Sequence, residues 1–260
     1  DTIINKYPFD GTKKEFESFE DSLTGFEKYV LDQFPKNNGF LLFSGTSKGE
    51  AGSGGTHISI KDSAGADYPD FSRNNTGATI IDFGTNPFAF EFHLFIEPQQ
   101  NYNQIICQKR SSQNNCISLA ISGSSSTRRC NLIFSAVSGT QSLLASASIE
   151  KGKFSHICAS YERGTTNNLK IYVSESLAAS SSFEYEFDTL SVDRAPLTIG
   201  SGSSFLVKSN NLEGNATSFV PIQTMSGALD DFRVFHSTRS PHVQQKFGNK
   251  TIYASNDLKL

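Results

Sequence analysis

Two glutamates at a two-residue spacing are the strongest candidates for acid–base chemistry in this sequence. Glu184 and Glu186 lie in the segment FEYEFD, and Asp188 continues the same spacing. Because side chains alternate between the two faces of a strand, both glutamates would share one face. Retaining glycosidases need an acid and a nucleophile about 5–5.5 Å apart, and such a strand would supply them. The alternative, which we favour, is a solvated acidic edge beside a serine-rich turn.

A second pair of acids interrupts the segment SGALDDFRVF, which otherwise reads as a strand. Strands are depleted in aspartate, and alternation assigns Asp230 and Asp231 to opposite faces. Whichever face is buried therefore carries a carboxylate. Since burying an unpaired charge costs several kcal/mol, the sequence predicts a compensating partner for one of these two acids.

The four cysteines are Cys107, Cys116, Cys130 and Cys158. They form no CxxC motif, which argues against a zinc site or a thioredoxin-like site. Cys107 and Cys116 flank RSSQNN symmetrically and could face each other across a hairpin, which would leave the other two for a second disulfide. Alternatively, all four are half-buried thiols that never pair. The sequence leaves both alternatives open.

Other catalytic and cofactor motifs are absent from the sequence. The five histidines show no HxxxH-like metal spacing, and there is no Gly-x-Ser-x-Gly elbow. The GSGG run at 52–55 does not connect a strand to a helix, so it predicts a flexible loop rather than a phosphate site.

Charge and hydropathy exclude two classes of partner. The chain of 260 residues has a formal net charge of -3, which gives no basic field for nucleic acid or for an anionic membrane. No apolar run approaches the roughly 20 residues of a membrane-spanning helix. The 22 phenylalanines and 20 glycines, with abundant serine, are typical of a β-sandwich with many turns.

The elements that would position these side chains are mostly strands. The clearest strand alternates with one apolar face made of Phe88, Phe90, Phe92, Leu94 and Ile96. KFSHICASYE and NLKIYVSES predict a hairpin across RGTTN. Apolar residues spaced three and four apart predict one short helix near 13–33, although Gly25 weakens it. The polar segment 202–220 predicts a surface loop, and because no break in composition marks a linker, we predict a single domain over 1–260.

Several segments of the sequence are similar to the motifs of a known family and follow one another in the same order. They are YPFDG at 7–11, FAFEFHLFIEP at 88–98, FSHICASYE at 154–162, LKIYVSES at 169–176, PLTIG at 196–200 and GALDDFRVFHSTRS at 227–240. In these segments Phe154 replaces the family's Trp, and Ser174 with Glu175 replaces its Asp-Gly. The chain therefore resembles the laminin-G-like jelly-roll domains of the concanavalin A-like lectin/glucanase superfamily.

This resemblance implies a fold but no activity. The expected fold is all-β, with two packed antiparallel sheets forming a jelly-roll sandwich in which YPFDG lies beside ALDDFRVF. The same fold serves lectins, adhesion modules, glycosidases, lyases and virion parts. The Arg-rich and Gln-x-His strands of its lyases are not visible in this sequence.

The resemblance also carries an expectation for Asp230. Phe232 and Val234 match core positions of the family, so Asp230 would point inward and the neighbouring aspartate outward. Glucanases of the superfamily often hold a structural calcium ion between an acid of the last strand and carbonyls near the first. By position, this nominates Asp230, Asp10 and the carbonyl of Gly11 as ligands of one structural Ca²⁺. The alternative is an Asp230 carboxylate anchored by backbone N–H groups and hydroxyls of the N-terminal turn.

We expect a non-catalytic recognition or adhesion module that binds a glycan or a protein surface. Since the chain has no tryptophan, the candidate ligand-stacking residues are Tyr68, Phe71 and Tyr102, all in loop-like positions. The alternative is that these rings only cover the ends of the sandwich.

Two other functions stay open. One is a structural subunit of an extracellular filament, matrix or virus particle; the other is a glycoside hydrolase or polysaccharide lyase of the same fold. In each case we expect no nucleic-acid partner and no membrane insertion, and a location outside the cell, at the cell surface or on a virion surface. Sequons at Asn74, Asn215 and Asn249 support secretion weakly.

Overall fold

The computed structural model describes the chain in blocks. These are residues 40–45, 55–60, 81, 83, 86–126, 128–139, 141–163, 167–183, 192, 195–207, 217–248 and 258. The chain divides into residues 1–39 and residues 40–260, and every described residue belongs to the second division. The helix predicted near 13–33 and the YPFDG segment therefore lie outside the described residues, and the single-domain assignment stays a prediction.

Strands dominate the described part of the chain. In order they are β1 (Leu41–Ser44), β2 (Ile58–Ile60), β3 (Phe88–Ile96), β4 (Gln104–Ser112), β5 (Asn115–Ser122), β6 (Arg129–Ser138), β7 (Gln141–Glu150), β8 (Ser155–Glu162), β9 (Asn167–Val173), β10 (Ser176–Phe183), β11 (Leu197–Ile199), β12 (Phe205–Val207), β13 (Thr217–Phe219) and β14 (Ser226–Phe235). The described residues contain one helix, α1, which spans Pro241–Phe247 and has Ser240 as its N-cap. None of the described residues forms a helix long and apolar enough to cross a membrane.

The strands form two six-stranded sheets. The first sheet has the spatial order β1-β14-β3-β8-β9-β10 and the second β2-β11-β4-β5-β6-β7. Every neighbouring pair is antiparallel. This architecture confirms the predicted all-β, two-sheet antiparallel sandwich. In the described part, the last strand β14 lies between β1 and β3.

The core lies between the two sheets and follows from period-2 alternation. The predicted apolar face of β3 is buried there, and its members join one cluster with side chains of the second sheet such as Leu132 and Phe134. Phe88 contacts Phe134 edge-to-face at 6.3 Å between ring centroids. Aromatic pairs in this geometry add to the stability gained from area burial alone.

The segment predicted as a surface loop over 202–220 contains two strands. Strands β12 and β13 pair as a separate two-stranded sheet, and their Phe205 and Phe219 stack at 5.0 Å. These rings join Ile105, Ala120 and Val137 in a second apolar cluster. The loop prediction was wrong for these residues. It weighed the many polar residues of the segment and overlooked two aromatic residues, which pack on a face of the second sheet.

Of the two alternatives that the sequence left open for the cysteines, the structure shows unpaired thiols, because all four are free and buried. Cys107 pairs with Leu119 across the β4–β5 ladder, whereas Cys116 pairs with Arg110. Cys107 lies in the main core and Cys116 in the second cluster, so the symmetric spacing about the turn does not bring them together. Cys130 and Cys158 likewise belong to different clusters. Burial raises the pKa of Cys116 and of Cys130 to about 11.

Candidate functional site

A β-bulge decides where the two aspartates of β14 point. Asp230 pairs with His93, and Arg233 pairs with Glu91, so three residues of β14 span the length of two on β3. Asp231 occupies the bulge at a φ of +53°. Simple alternation therefore fails across it, as expected for an inserted residue.

The bulge corrects the predicted orientation of Asp230. Leu229 and Val234 are buried in the core between the sheets, and Phe232 stacks on Phe92 at 5.4 Å. Asp230, paired with His93, lies instead on the outer face of the first sheet. The prediction that Asp230 shares the core face was wrong, whereas its burial is confirmed, because only 7% of the residue is exposed.

The outer face of the first sheet carries a buried charge network around Glu91. Glu91, which is 1% exposed, accepts hydrogen bonds from Arg239 Nε at 2.8 Å and from Arg233 Nη1 at 3.3 Å. His156 Nε2 lies 3.5 Å from the Glu91 carboxylate, and His156 Nδ1 lies 3.2 Å from Glu175. Arg233 also donates to Asp231. The bulge thus supplies one carboxylate partner for this buried guanidinium.

The network fastens the segment after β14 onto the sheet. The Arg239 guanidinium lies 4.2 Å from the ring centroid of Phe235, and the Arg239 carbonyl accepts from Gln244 Nε2 of α1 at 2.7 Å. Gln244 is fully buried. Since removing one member of a buried ion network leaves uncompensated charge, we assign a structural role to this network.

The protonation states in the network do not suit catalysis. Burial raises the pKa of the Glu91 carboxyl, but the hydrogen bonds with His156 and Arg239 outweigh this effect and lower the pKa below its usual value. A general acid needs the opposite shift, and a carboxylate that is 1% exposed cannot meet a polysaccharide. Glu184 and Glu186, the predicted catalytic pair, lie outside the described residues.

Asp230 is the one described member of the predicted calcium set. Burial and the charge of Asp231 raise its pKa, and its Oδ2 atom is buried without a hydrogen-bond partner. An orphaned oxygen suits a cation, but one carboxylate is a thin ligand set for Ca²⁺. The described residues contain no group of three or more His, Cys, Asp or Glu with metal-binding geometry. Asp10 and Gly11 lie outside them, so the calcium site stays a prediction.

A second candidate site is formed by loops, which we call the loop platform. It comprises residues 97–103 between β3 and β4, 123–126 after β5, 151–154 between β7 and β8, and 220–225 before β14. Gly152 N donates to Ile96 O at the end of β3, and Lys151 N donates to Arg128 O just before β6. The β7–β8 loop is therefore hydrogen-bonded to the segments on both sides of it. Function is often carried by such loops on a rigid β scaffold.

Lys151 holds three loops of the loop platform together, its own and two others, through its ammonium group. Nζ donates to the carbonyls of Gln100, Ser124 at 3.0 Å and Ser126 at 2.7 Å. The residue is only 7% exposed. An ammonium has three donors, and here each one meets a backbone carbonyl, which offsets the cost of burying the charge.

Asn103 provides the second anchor of the loop platform. Its Oδ1 accepts from Gly123 N at 2.7 Å, its Nδ2 donates to Val220 O at 3.4 Å, and its carbonyl accepts from Ile222 N at 2.9 Å. A Cβ added to Gly123 would lie 2.2 Å from Asn101 O. The loops therefore approach so closely that only glycine fits at position 123.

The loop platform exposes three apolar side chains on this anchored backbone. In the described part, the exposed large hydrophobic residues are Leu41, Leu42, Tyr102, Leu177, Val220 and Ile222. Three of the six belong to the platform, with Tyr102 53% exposed, Val220 54% and Ile222 52%. The structure thus places Tyr102 as predicted, at an exposed loop position, while Tyr68 and Phe71 lie outside the described residues.

Sequence reasoning missed Val220, Ile222 and Lys151 as members of this site. The apolar residues of SFVPIQTM, around a proline that ends strand pairing, were a usable signal for an exposed hydrophobic loop. Lys151 had no such signal, because its three acceptors are backbone carbonyls from two other loops.

Comparison with known proteins gives one family match. Residues 54–243 match the model of a family described as belonging to the concanavalin A-like lectin/glucanases superfamily. Curated protein sequences contain no significant match to the chain.

Several solved structures are similar at low identity. A candidate carbohydrate-binding protein from Bacteroides ovatus ATCC 8483 is 14% identical, with a TM-score of 0.48 over 85% of this chain and 51% of that one. The binding domain of botulinum neurotoxin serotype C1 is 13% identical, with a TM-score of 0.39 and coverages of 63% and 36%. Tailspike protein 2 of the Escherichia coli O157:H7 bacteriophage CAB120 is 12% identical, with a TM-score of 0.42 and coverages of 92% and 30%. This chain thus spans about half or less of each structure, and likeness at this level does not identify a ligand.

Proposed function

Because this chain belongs to the concanavalin A-like lectin/glucanase superfamily, we propose that it is a non-catalytic recognition module that binds glycan through the loop platform. We place this recognition outside the cell, at a cell surface or on a virion surface. The fold alone does not decide the activity, so the proposal depends on the chemistry of the site.

One observation carries the proposal. Tyr102, Val220 and Ile222 are each about half exposed on two loops that Asn103 joins by hydrogen bonds. An exposed aromatic ring on a preorganised backbone can pack against the C–H face of a sugar at a reduced ordering cost. Gln99, exposed on the same loop as Tyr102, offers an amide donor and an amide acceptor to sugar hydroxyls, and the exposed Asn101 offers its amide oxygen.

The non-catalytic part of the proposal is supported by the accessibility of the acidic groups. The most buried carboxylate among the described residues, Glu91, is bound by two guanidinium groups. The loop platform itself contributes a single acidic side chain, Glu97, whereas glycoside hydrolysis ordinarily needs two carboxylates flanking the bond.

A glycan array followed by titration calorimetry tests the proposal. We expect binding to at least one glycan class, and a roughly tenfold loss of affinity in Tyr102→Ala, as expected for one aromatic packing contact. Leu177→Ala is the matched control, because Leu177 is 55% exposed but lies on the edge strand β10. It should bind like the unmodified chain.

Three outcomes would contradict the proposal. Absence of binding to every glycan, with a protein or a second copy of the chain bound instead, would favour the adhesion or particle-subunit alternatives. Equal loss in Tyr102→Ala and Leu177→Ala would remove the loop platform as the site. Turnover of a polysaccharide that is abolished by Glu184→Gln or Glu186→Gln would make the chain an enzyme.

A further inference from the structure

We propose that the loop platform selects neutral saccharides with an apolar face and discriminates against sugars that carry a carboxylate, such as sialic or uronic acids. The inference rests on the proposed function and goes further, since it names the ligand class. It follows from the partners that the charged side chains in and around the loop platform already have.

The only buried cation of the loop platform is already committed. Lys151 directs its three N–H donors to the carbonyls of Gln100, Ser124 and Ser126 and is 7% exposed. An ammonium with all of its donors used has none left for a ligand carboxylate.

Two of the three neighbouring exposed cations are also paired. Lys153 forms an ion pair with Glu150, and Arg129 lies 3.7 Å from the same carboxylate while donating to Ser148 Oγ at 2.8 Å. Arg128, next to the loop platform, is exposed, and the exposed Glu97 places a negative charge on the loop that carries Tyr102. A sugar carboxylate is best recognised by an arginine that is held in place for it and binds it through two hydrogen bonds.

The uncharged groups of the loop platform suit a neutral pyranose instead. The half-exposed side chains of Tyr102, Val220 and Ile222 provide apolar area for C–H groups, and the amides of Gln99 and Asn101 suit hydroxyls. A carboxylate placed against these three side chains would lose hydration, Lys151 has no donor left for it, and the charge of Glu97 would repel it.

Paired glycans test this inference. Each neutral oligosaccharide, for example one that ends in galactose or glucose, is compared with the same chain capped by sialic acid or oxidised to the uronate. We expect the neutral member of each pair to bind at least about tenfold more tightly, and its affinity to stay nearly constant between low and high NaCl, because uncharged contacts are not screened. Glu97→Lys should reduce the ratio of the affinity for the neutral glycan to the affinity for its acidic counterpart, because it replaces a repelling charge by an attracting one.

The outcomes separate the two proposals. Preferential binding of the acidic members, with an affinity that falls as salt rises, would overturn the inference and leave glycan recognition standing. Neutral preference that survives Tyr102→Ala and Ile222→Ser unchanged would also overturn it, because selection would then arise elsewhere. Failure to bind any glycan would overturn the proposed function and, with it, this inference.

Discussion

Arg239 donates a 2.8 Å hydrogen bond to Glu91 across 148 positions of sequence. The contact joins β3 to the segment that leads into α1, and both residues are buried. Since Glu91 also accepts from Arg233, two guanidinium groups share this carboxylate on the outer face of the first sheet.

Replacing Glu91 by Gln should destabilise the fold strongly. The substitution keeps the shape but removes the carboxylate that pairs with the buried Arg239 and leaves Arg233 with Asp231, and breaking a buried ion pair typically costs about 3 kcal/mol or more. Urea unfolding measures the change. Glu150→Gln is the control, because Glu150 forms exposed ion pairs only, and it should shift the midpoint far less. Equal shifts would mean that the network contributes no more than surface pairs do.

Stability should fall on acidification in a way that depends on Glu91. Its pKa is lowered in the folded chain, so its contribution is fully present above its usual value of 4.5 and is lost as the pH falls through the lower folded-state value. Unfolding curves measured from pH 7 to pH 2 should show this loss in the unmodified chain. In Glu91→Gln, that part of the pH dependence should be missing.

Replacing Asp230 by Asn should raise the free energy of unfolding at neutral pH if no cation binds there. Burial and Asp231 raise the pKa of Asp230, so its charged form is disfavoured in the folded state, and stability falls as the pH rises from 3.8 through the raised value. An amide avoids this penalty. The measurement is the unfolding midpoint at pH 7, with Asp231→Asn as the comparison.

A bound calcium ion would reverse the sign of the Asp230 result. In that case the native chain would gain Tm with excess Ca²⁺ and lose it with EDTA, and Asp230→Asn would both lower Tm and abolish the response. Identical midpoints in Ca²⁺ and in EDTA would remove the calcium hypothesis.

Lys151→Met should loosen the loop platform while the sheets stay folded. Three carbonyls lose their common donor, so hydrogen exchange should speed up in residues 97–103 and 123–126, and glycan affinity should fall with it. Lys153→Met is the matched control, because its ammonium pairs only with Glu150 at the surface. Unchanged exchange in both variants would show that Lys151 does not organise the loops.

Reducing agents should leave Tm unchanged, because all four cysteines are free. Their thiols should react with iodoacetamide in the unfolded chain but hardly in the folded one, since burial raises the pKa of Cys116 and of Cys130 to about 11 and the thiolate is the reactive form. A Tm that drops on reduction would contradict the free-thiol assignment.

Local sequence patterns were sufficient to predict the strands and the buried face of β3, whereas the two-sheet sandwich was predicted from the family resemblance. Alternation with a period of two is a property of neighbouring residues, so it can be read from the letters of FAFEFHLFI without knowing the partner strands. The exposed position of Tyr102 was predictable for the same reason, because it lies among amides and a proline between two strand patterns. The loop prediction for segment 202–220 failed, and the sequence could not choose between paired and free cysteines, because both outcomes depend on which sheet face a side chain or a short strand covers.

The sequence by itself determined the strand pattern, the apolar faces and the presence of acids within β14. The tertiary structure alone decided how those acids are used. A single inserted residue, Asp231, shifts the phase of the strand and moves Asp230 to the outer face. Glu91 meets Arg239, and Lys151 meets carbonyls of Gln100 and Ser124, only because sheet pairing brings distant segments together. Such contacts depend on register and loop closure, which are properties of the packed chain and leave no periodic trace in the sequence.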